Sequence, residues 1–278
     1  MRSRAAVAAL ALLALSAPLA AQTPDQPTLI FSISAGYMTG GRLWSLDRQL
    51  AIAVAFPGAN QWDTVALARD LAHGFAATLS ATYFRTPHLG LSAEVGFFGI
   101  GTTSRCSPVG AFTLTAAREN AQTCAALNGD NLRANAVGIL GGLTYRLTKG
   151  GVQPYVRVGV GPAILGGSFI EESADVLDAN GDGVLVYFLS DQNHKELTWM
   201  ASLGVGLMMP LAPGYQLRAE YRNLITALPY PTGPALDTGV VAVGEGLPQP
   251  PVGWRTVRIP TFTVGLDVVL ERKRGHRY

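Results

Sequence analysis

Thr261-Phe262-Thr263-Val264-Gly265-Leu266-Asp267-Val268-Val269-Leu270 changes character at almost every step. Phe262, Val264, Leu266, Val268 and Leu270 share one parity, and Thr261, Thr263, Gly265 and Asp267 share the other. This is the two-residue period of an extended strand with two unlike faces. A helix over the same stretch would scatter both sets around its circumference. The rule recurs upstream. Leu29, Phe31, Ile33, Ala35 and Tyr37 oppose Ser32, Ser34 and Gly36; Phe75, Ala77, Leu79, Ala81 and Tyr83 oppose Gly74, Thr78, Ser80 and Thr82. Leu89, Leu91, Ala93, Val95 and Phe97 oppose Gly90, Ser92, Glu94 and Gly96. Four further alternating segments, within residues 137–147, 155–160, 199–207 and 215–222, bring the total to eight.

The connections alternate as regularly as the side chains. Short turns at 86–88, 148–151 and 210–214 are interleaved with long segments at 39–71, 101–131, 170–194 and 226–253. Short and long ends therefore lie on opposite sides of one sheet, and closing that sheet satisfies every strand edge. The pattern predicts an all-β, eight-stranded antiparallel up-and-down barrel with its apolar parity facing lipid, its short turns periplasmic and its long loops extracellular. The rival arrangement, a soluble lipocalin-like barrel, would turn the same parity inward around a cavity. Aromatics favour the membrane reading. Tyr83 and Tyr145 fall on the apolar parity beside short turns, and Tyr37, Trp199 and Trp254 fall on it near long loops, as two interfacial girdles would.

Composition agrees. With 48% hydrophobic and 14% charged residues, the chain is not an acid-rich or low-complexity disordered one. Residues 1–21 read as a secretory leader, with Arg2 and Arg4 ahead of an apolar stretch and small residues ending at Ala20-Ala21. Residues 22–278 then form a single barrel domain. With Arg2 and Arg4 set aside, bases and acids balance, which argues against nucleic acid as a partner. Cys106 and Cys124 are the only cysteines, and in an exported chain they are expected to join. No histidine accompanies them, so a metal site is disfavoured.

The chain resembles the small eight-stranded OmpA/OmpX-type outer-membrane barrels from about Leu29 to Leu270. The resemblance is carried by Gln153-Pro154-Tyr155-Val156-Arg157-Val158-Gly159-Val160-Gly161 and by the final strand ending at Leu270. It implies residence in the outer membrane of a Gram-negative-type bacterium, as a monomer among outer-membrane lipids, inserted by the barrel assembly machinery.

An eight-stranded barrel is just wide enough for side chains to fill. The inward parity carries Glu94, Glu220 and Asp267 against Arg146, Arg157, Arg218 and Arg222. Counted from the short turns, Glu94, Arg157 and Glu220 sit at comparable depth, and Arg157 is expected to bridge the two carboxylates. A polar plug is favoured over an ion path.

Chemical signals elsewhere are sparse. Asp178-Ala179-Asn180-Gly181-Asp182-Gly183 matches the opening of a calcium loop, but the twelfth position is Leu189. A cation held by Asp178, Asn180 and Asp182 must borrow Glu171, Glu172 or Asp175; a plain turn is the favoured reading, and no other cofactor is implied. Alternation at 50–56 and 64–69 suggests a hairpin beyond the membrane, whereas the proline-rich fourth segment reads as irregular. His73 has no serine or acid on its own strand face, and His88 and His194 show no ligand spacing. The basic tail, Arg272, Lys273, Arg274 and Arg277, reads as a solvated terminus. These features point to a non-enzymatic envelope protein with disulfide-braced loops for envelope integrity or contact with an unknown extracellular partner. The alternatives are restricted uptake or binding of small hydrophobic molecules, and modification of outer-leaflet lipid.

Overall fold

The computed structural model describes residues 28–52, 62–110, 114–128, 131–177, 183–191, 196–235 and 249–271. The leader, residues 178–182 of the calcium-like loop, His194 and the basic tail lie outside them. Strands β1 (Thr28–Met38), β4 (Gly74–Phe84), β5 (Leu89–Gly110), β6 (Asn131–Arg146), β7 (Gln153–Gly166), β10 (Leu197–Ala212), β11 (Tyr215–Pro231) and β12 (Val252–Glu271) pair antiparallel in that order. β5 pairs with β6, and β12 returns to β1 in a register running from Thr28 opposite Glu271 to Met38 opposite Thr261, which closes the ring.

Alternation sets the faces. On β1, Ile33 is 61% exposed while Ser34 beside it is 9% exposed; on β4, Leu79 is 60% exposed beside Ser80 at 8%. A water-borne monomer does not present a continuous apolar wall of this extent. The outer surface is therefore the lipid-facing one, opposite to a lipocalin. At the short-turn rim Tyr83, Tyr145 and Tyr215 are exposed. Toward the other rim Tyr37 stands opposite both Phe75 and Phe262, and Phe262 opposite Tyr221, giving a continuous aromatic row. Trp254 does not join it. It faces Pro229, beyond the exposed Arg258, in a part of β12 that outruns the bilayer. Parity alone does not mark where lipid ends, because the alternation continues past it.

That overrun is general at the long-loop end. The outer half of β5 pairs with β3 (Trp62–Leu71), which pairs in turn with β2 (Arg42–Ile52). A helix, α1 (Leu114–Asn128), packs against β5 and against a separate hairpin of β8 (Glu172–Leu177) and β9 (Gly183–Leu189). The first residues of the fourth long segment are more regular than the prolines Pro229 and Pro231 suggested. β11 runs through Pro229 to Pro231, paired with β12 as far as Val252. Its pairing with β10 ends at Thr226, so the later prolines lie where β11 has lost one neighbour and has no donor to supply on that side.

The lumen has two tiers. Near the short turns it is lined by polar and charged side chains such as Ser80, Thr82, Thr144, Glu94, Arg157 and Glu220. Farther along the same strands the inward residues are Met38, Ala76, Phe98, Leu140, Met200 and Leu224, all buried. This apolar tier is continuous with Trp44, Leu67, Ile100, Leu127, Phe169 and Phe188, so strand extensions, helix and hairpin share one core with the upper barrel. They form a cap that is part of the fold.

Candidate functional site

Two arrangements stand out, an ionic layer across the lower lumen and the cap above it. In the layer, Arg157 on β7 donates from Nη1 to Glu94 Oε2 at 2.8 Å and lies 3.8 Å from Glu220 Oε2. Its Nε reaches Thr144 Oγ1 at 3.3 Å, and its Nη2 reaches Ser80 and Thr82 at 3.3 and 3.2 Å. One planar guanidinium thus ties together β4, β5, β6 and β7 and approaches β11. The structure brings Glu94, Arg157 and Glu220 into one cluster.

The other inward charges, for which the sequence names no particular partner, complete the layer. Arg222 donates to the second oxygen of Glu94 at 2.5 Å and lies 4.0 Å from Glu220. The Tyr155 hydroxyl donates to Glu220 Oε2 at 2.5 Å, and Arg218 donates twice to Asp267 Oδ2, at 3.1 and 2.9 Å. Glu94 is thereby shared by two guanidiniums. The available signal was glycine. A Cβ at Gly204 would lie 2.9 Å from both the Arg222 Cβ and Glu220 Oε1, and one at Gly206 would lie 2.6 Å from the Tyr155 ring. Two inward glycines on β10 make room for long side chains arriving from β7 and β11.

Buried charges are costly unless paired, and inside the bore Arg157, Arg218 and Arg222 share Glu94, Glu220 and Asp267. The lumen is thus occupied by charged and polar side chains near the short turns and by buried apolar ones above them.

The cap is braced at several points. Cys106 on β5 and Cys124 on α1 are joined by a disulfide across a separation of 18 residues. Four residues along the helix, Asn128 accepts from the Cys106 amide at 2.7 Å and donates to its carbonyl at 3.1 Å. It stands in for a neighbouring strand where β6 no longer reaches. Gln49 on β2 makes the same two-way contact with Ala235. Arg69, fully buried, donates from Nε to Glu172 at 2.9 Å and from Nη2 to the Glu171 carbonyl, and the indole of Trp44 donates to Phe169 O at 2.8 Å. Glu172, one of the acids considered as an extra calcium ligand, is engaged by Arg69 and Ser104. Asp178, Asn180 and Asp182 fall in the connection between β8 and β9, outside the described residues. Among those described, no group of three histidine, cysteine or acidic side chains is arranged to hold a metal.

His73 is exposed and stacks on Tyr37 with ring centroids 5.4 Å apart; among the described residues it makes no hydrogen bond to a serine or carboxylate. His88 Nδ1 meets the Arg146 carbonyl at 2.8 Å within a short turn. On the lipid face, a shallow groove of about 490 Å³ runs past Phe31, Leu79, Ala81, Ala93, Ile139 and Leu266. Ala81, Ala93 and Gly141 are direct neighbours in register, which is why the wall is thin there.

No curated protein matches this chain. Among solved structures it is similar to OprG from Pseudomonas aeruginosa, at 13% identity over 89% of this chain and 97% of that one, with a TM-score of 0.42. It is similar to Neisserial surface protein A at 13% identity, with coverage of 87% and 96% and a TM-score of 0.39. It is also similar to the outer membrane protease OmpT from Escherichia coli, at 11%, 91% and 99%, with a TM-score of 0.37. Residues 6–247 match the family described as the outer membrane protein beta-barrel domain. With a closed antiparallel ring, an apolar wall and a match over most of its length, the chain belongs to the outer membrane protein beta-barrel family and resides in the bacterial outer membrane.

Proposed function

We propose that this protein is a non-enzymatic, non-conducting barrel whose rigid extracellular cap serves surface interaction or envelope integrity. The observation that carries the reading is the fusion of cap and lumen into one apolar core above a fully side-chain-filled ionic layer. A transport protein needs a path, whereas a display scaffold needs a stiff base. Cross-strand mimicry by Asn128 and Gln49, the buried Arg69 pair and the disulfide all stiffen the exposed end. The test is single-channel recording of purified protein in planar bilayers. The expected trace is flat; large, steady conductance would reject the plug and with it the display reading.

A second reading, binding of small hydrophobic molecules, is favoured by the lipid-facing groove beside Ala81 and Ala93. Native mass spectrometry from mild detergent distinguishes it. A stoichiometric acyl compound lost on Ala93→Phe supports the second reading, and an unliganded chain supports the first.

A further inference from the structure

Among the inward side chains that the structure describes near the short turns, four arginines meet three carboxylates. Arg146, Arg157, Arg218 and Arg222 face Glu94, Glu220 and Asp267, and those three carboxylates are taken up by Arg157, Arg218 and Arg222. Arg146, at the end of β6 nearest the short turns, is 7% exposed and forms no ion pair among the described residues. Its guanidinium carbon lies 3.5 Å from the centroid of the Phe84 ring, which fixes the plane of the group. Nε and Nη2, the two donors that share one edge of that plane, have no hydrogen-bond partner among the described residues. Across the barrel wall Arg146 is the register partner of Tyr155, and Arg218 lies 5.4 Å from the Tyr155 ring with its Nη1 likewise unpartnered.

A buried guanidinium with a free edge is costly when the carboxylate acting on it, Asp267, is already paired with Arg218. That edge matches two oxygens of a carboxylate or phosphate, a geometry a lysine does not reproduce. We propose that Arg146, with Arg218 Nη1 beside it, binds a small oxyanion, phosphate or carboxylate, admitted from the periplasmic mouth of the barrel. The ionic layer and apolar tier close the opposite direction, so the anion enters and leaves at the same end. Phe84 is a positioning residue. This inference does not rest on the surface-display reading, because it concerns the other end of the molecule.

The experiment titrates inorganic phosphate, and separately acetate, into the full mature chain in nanodiscs at constant ionic strength, with chloride as the exchanged salt. Arginine Nε–H resonances and titration calorimetry are the readouts. A saturable shift of the Arg146 resonance is expected. Arg146→Gln should weaken binding about 10- to 100-fold, the worth of hydrogen bonds to a charged group. Arg146→Lys should recover only part of the loss, and the cap variant Arg42→Gln should bind as wild type. Absence of a saturable response to either anion in the wild-type chain would overturn the proposal, even if Arg146→Gln failed to fold. So would equal binding by Arg146→Gln.

Discussion

Replacing Glu94 by glutamine removes one charge while keeping the shape of the side chain. In the native layer both carboxylate oxygens are used, one by Arg157 at 2.8 Å and one by Arg222 at 2.5 Å, with Glu94 only 5% exposed. After the substitution the nearest remaining carboxylate is Glu220, 3.8 Å from Arg157 and 4.0 Å from Arg222, and it already accepts the Tyr155 hydroxyl. Two buried guanidiniums then share one acid. Removing one partner of a buried ion pair costs about 3–5 kcal/mol. The amide still offers one acceptor, so Glu94→Gln is expected near the lower end, about 3 kcal/mol. Combining it with Arg157→Gln should be less than additive, with a coupling of about 1–3 kcal/mol, because the second change removes a charge that the first left unpaired. The assay is reversible urea unfolding of the protein in lipid vesicles, followed by tryptophan fluorescence and by the mobility of folded and unfolded bands on gels. A loss below about 1 kcal/mol, the value of a hydrated surface pair, would refute the reasoning, because it would mean that water bathes the layer.

Leu79→Lys places a charge among Ile33 and Val95 on the lipid face and should destabilise the barrel by about 2–4 kcal/mol, while Ser45→Lys in the cap should be close to neutral in the same unfolding assay. Cys106→Ser with Cys124→Ser opens a loop of 18 residues and should weaken the cap by about 3 kcal/mol, seen as new protease cleavage in the cap with unchanged gel mobility of the folded barrel. A Cβ at Gly36 would overlap the Phe262 carbonyl oxygen of the adjoining strand, so Gly36→Ala should slow folding into vesicles and lower the urea midpoint; an unchanged midpoint would show that β1 and β12 do not approach so closely.

Orientation and strand number were legible because lipid and lumen impose opposite demands on alternate residues, and the short turns divide the pattern cleanly. The meeting of Arg157 with Glu94 and Glu220 was also readable by counting residues from the turns. Arg222 as a second cation on Glu94 was not, because barrel shear decides which inward residues of non-adjacent strands converge. Of the cap, the alternation at 64–69 falls in β3 and that at 50–56 overlaps the end of β2, as the expected hairpin, whereas the helix and the β8–β9 hairpin were not read. β5 runs from Leu89 to Gly110 and alternates as far as Ser107, and nothing in that period changes where Thr102 and Ser104 leave the barrel for the cap. Inward polarity does change, from Glu94 to Phe98 and Ile100 on β5 and from Arg222 to Leu224 and Leu228 on β11. That switch was present in the sequence, and it marks where lumen becomes core. Prolines misled in the fourth segment because their effect depends on which edge of β11 is paired.

Spin labels placed singly at each position from Thr261 to Leu270, with collision rates measured against oxygen dissolved in lipid and a polar nickel complex, read the direction of every side chain in the closing strand. Oxygen contact should peak at Phe262, Val264, Leu266, Val268 and Leu270 and fall at Thr261, Thr263, Gly265 and Asp267, with the nickel complex excluded from both sets within the bilayer. The opposite phase, or high nickel contact at Thr263 and Asp267, would contradict a lipid-facing wall around a sealed lumen.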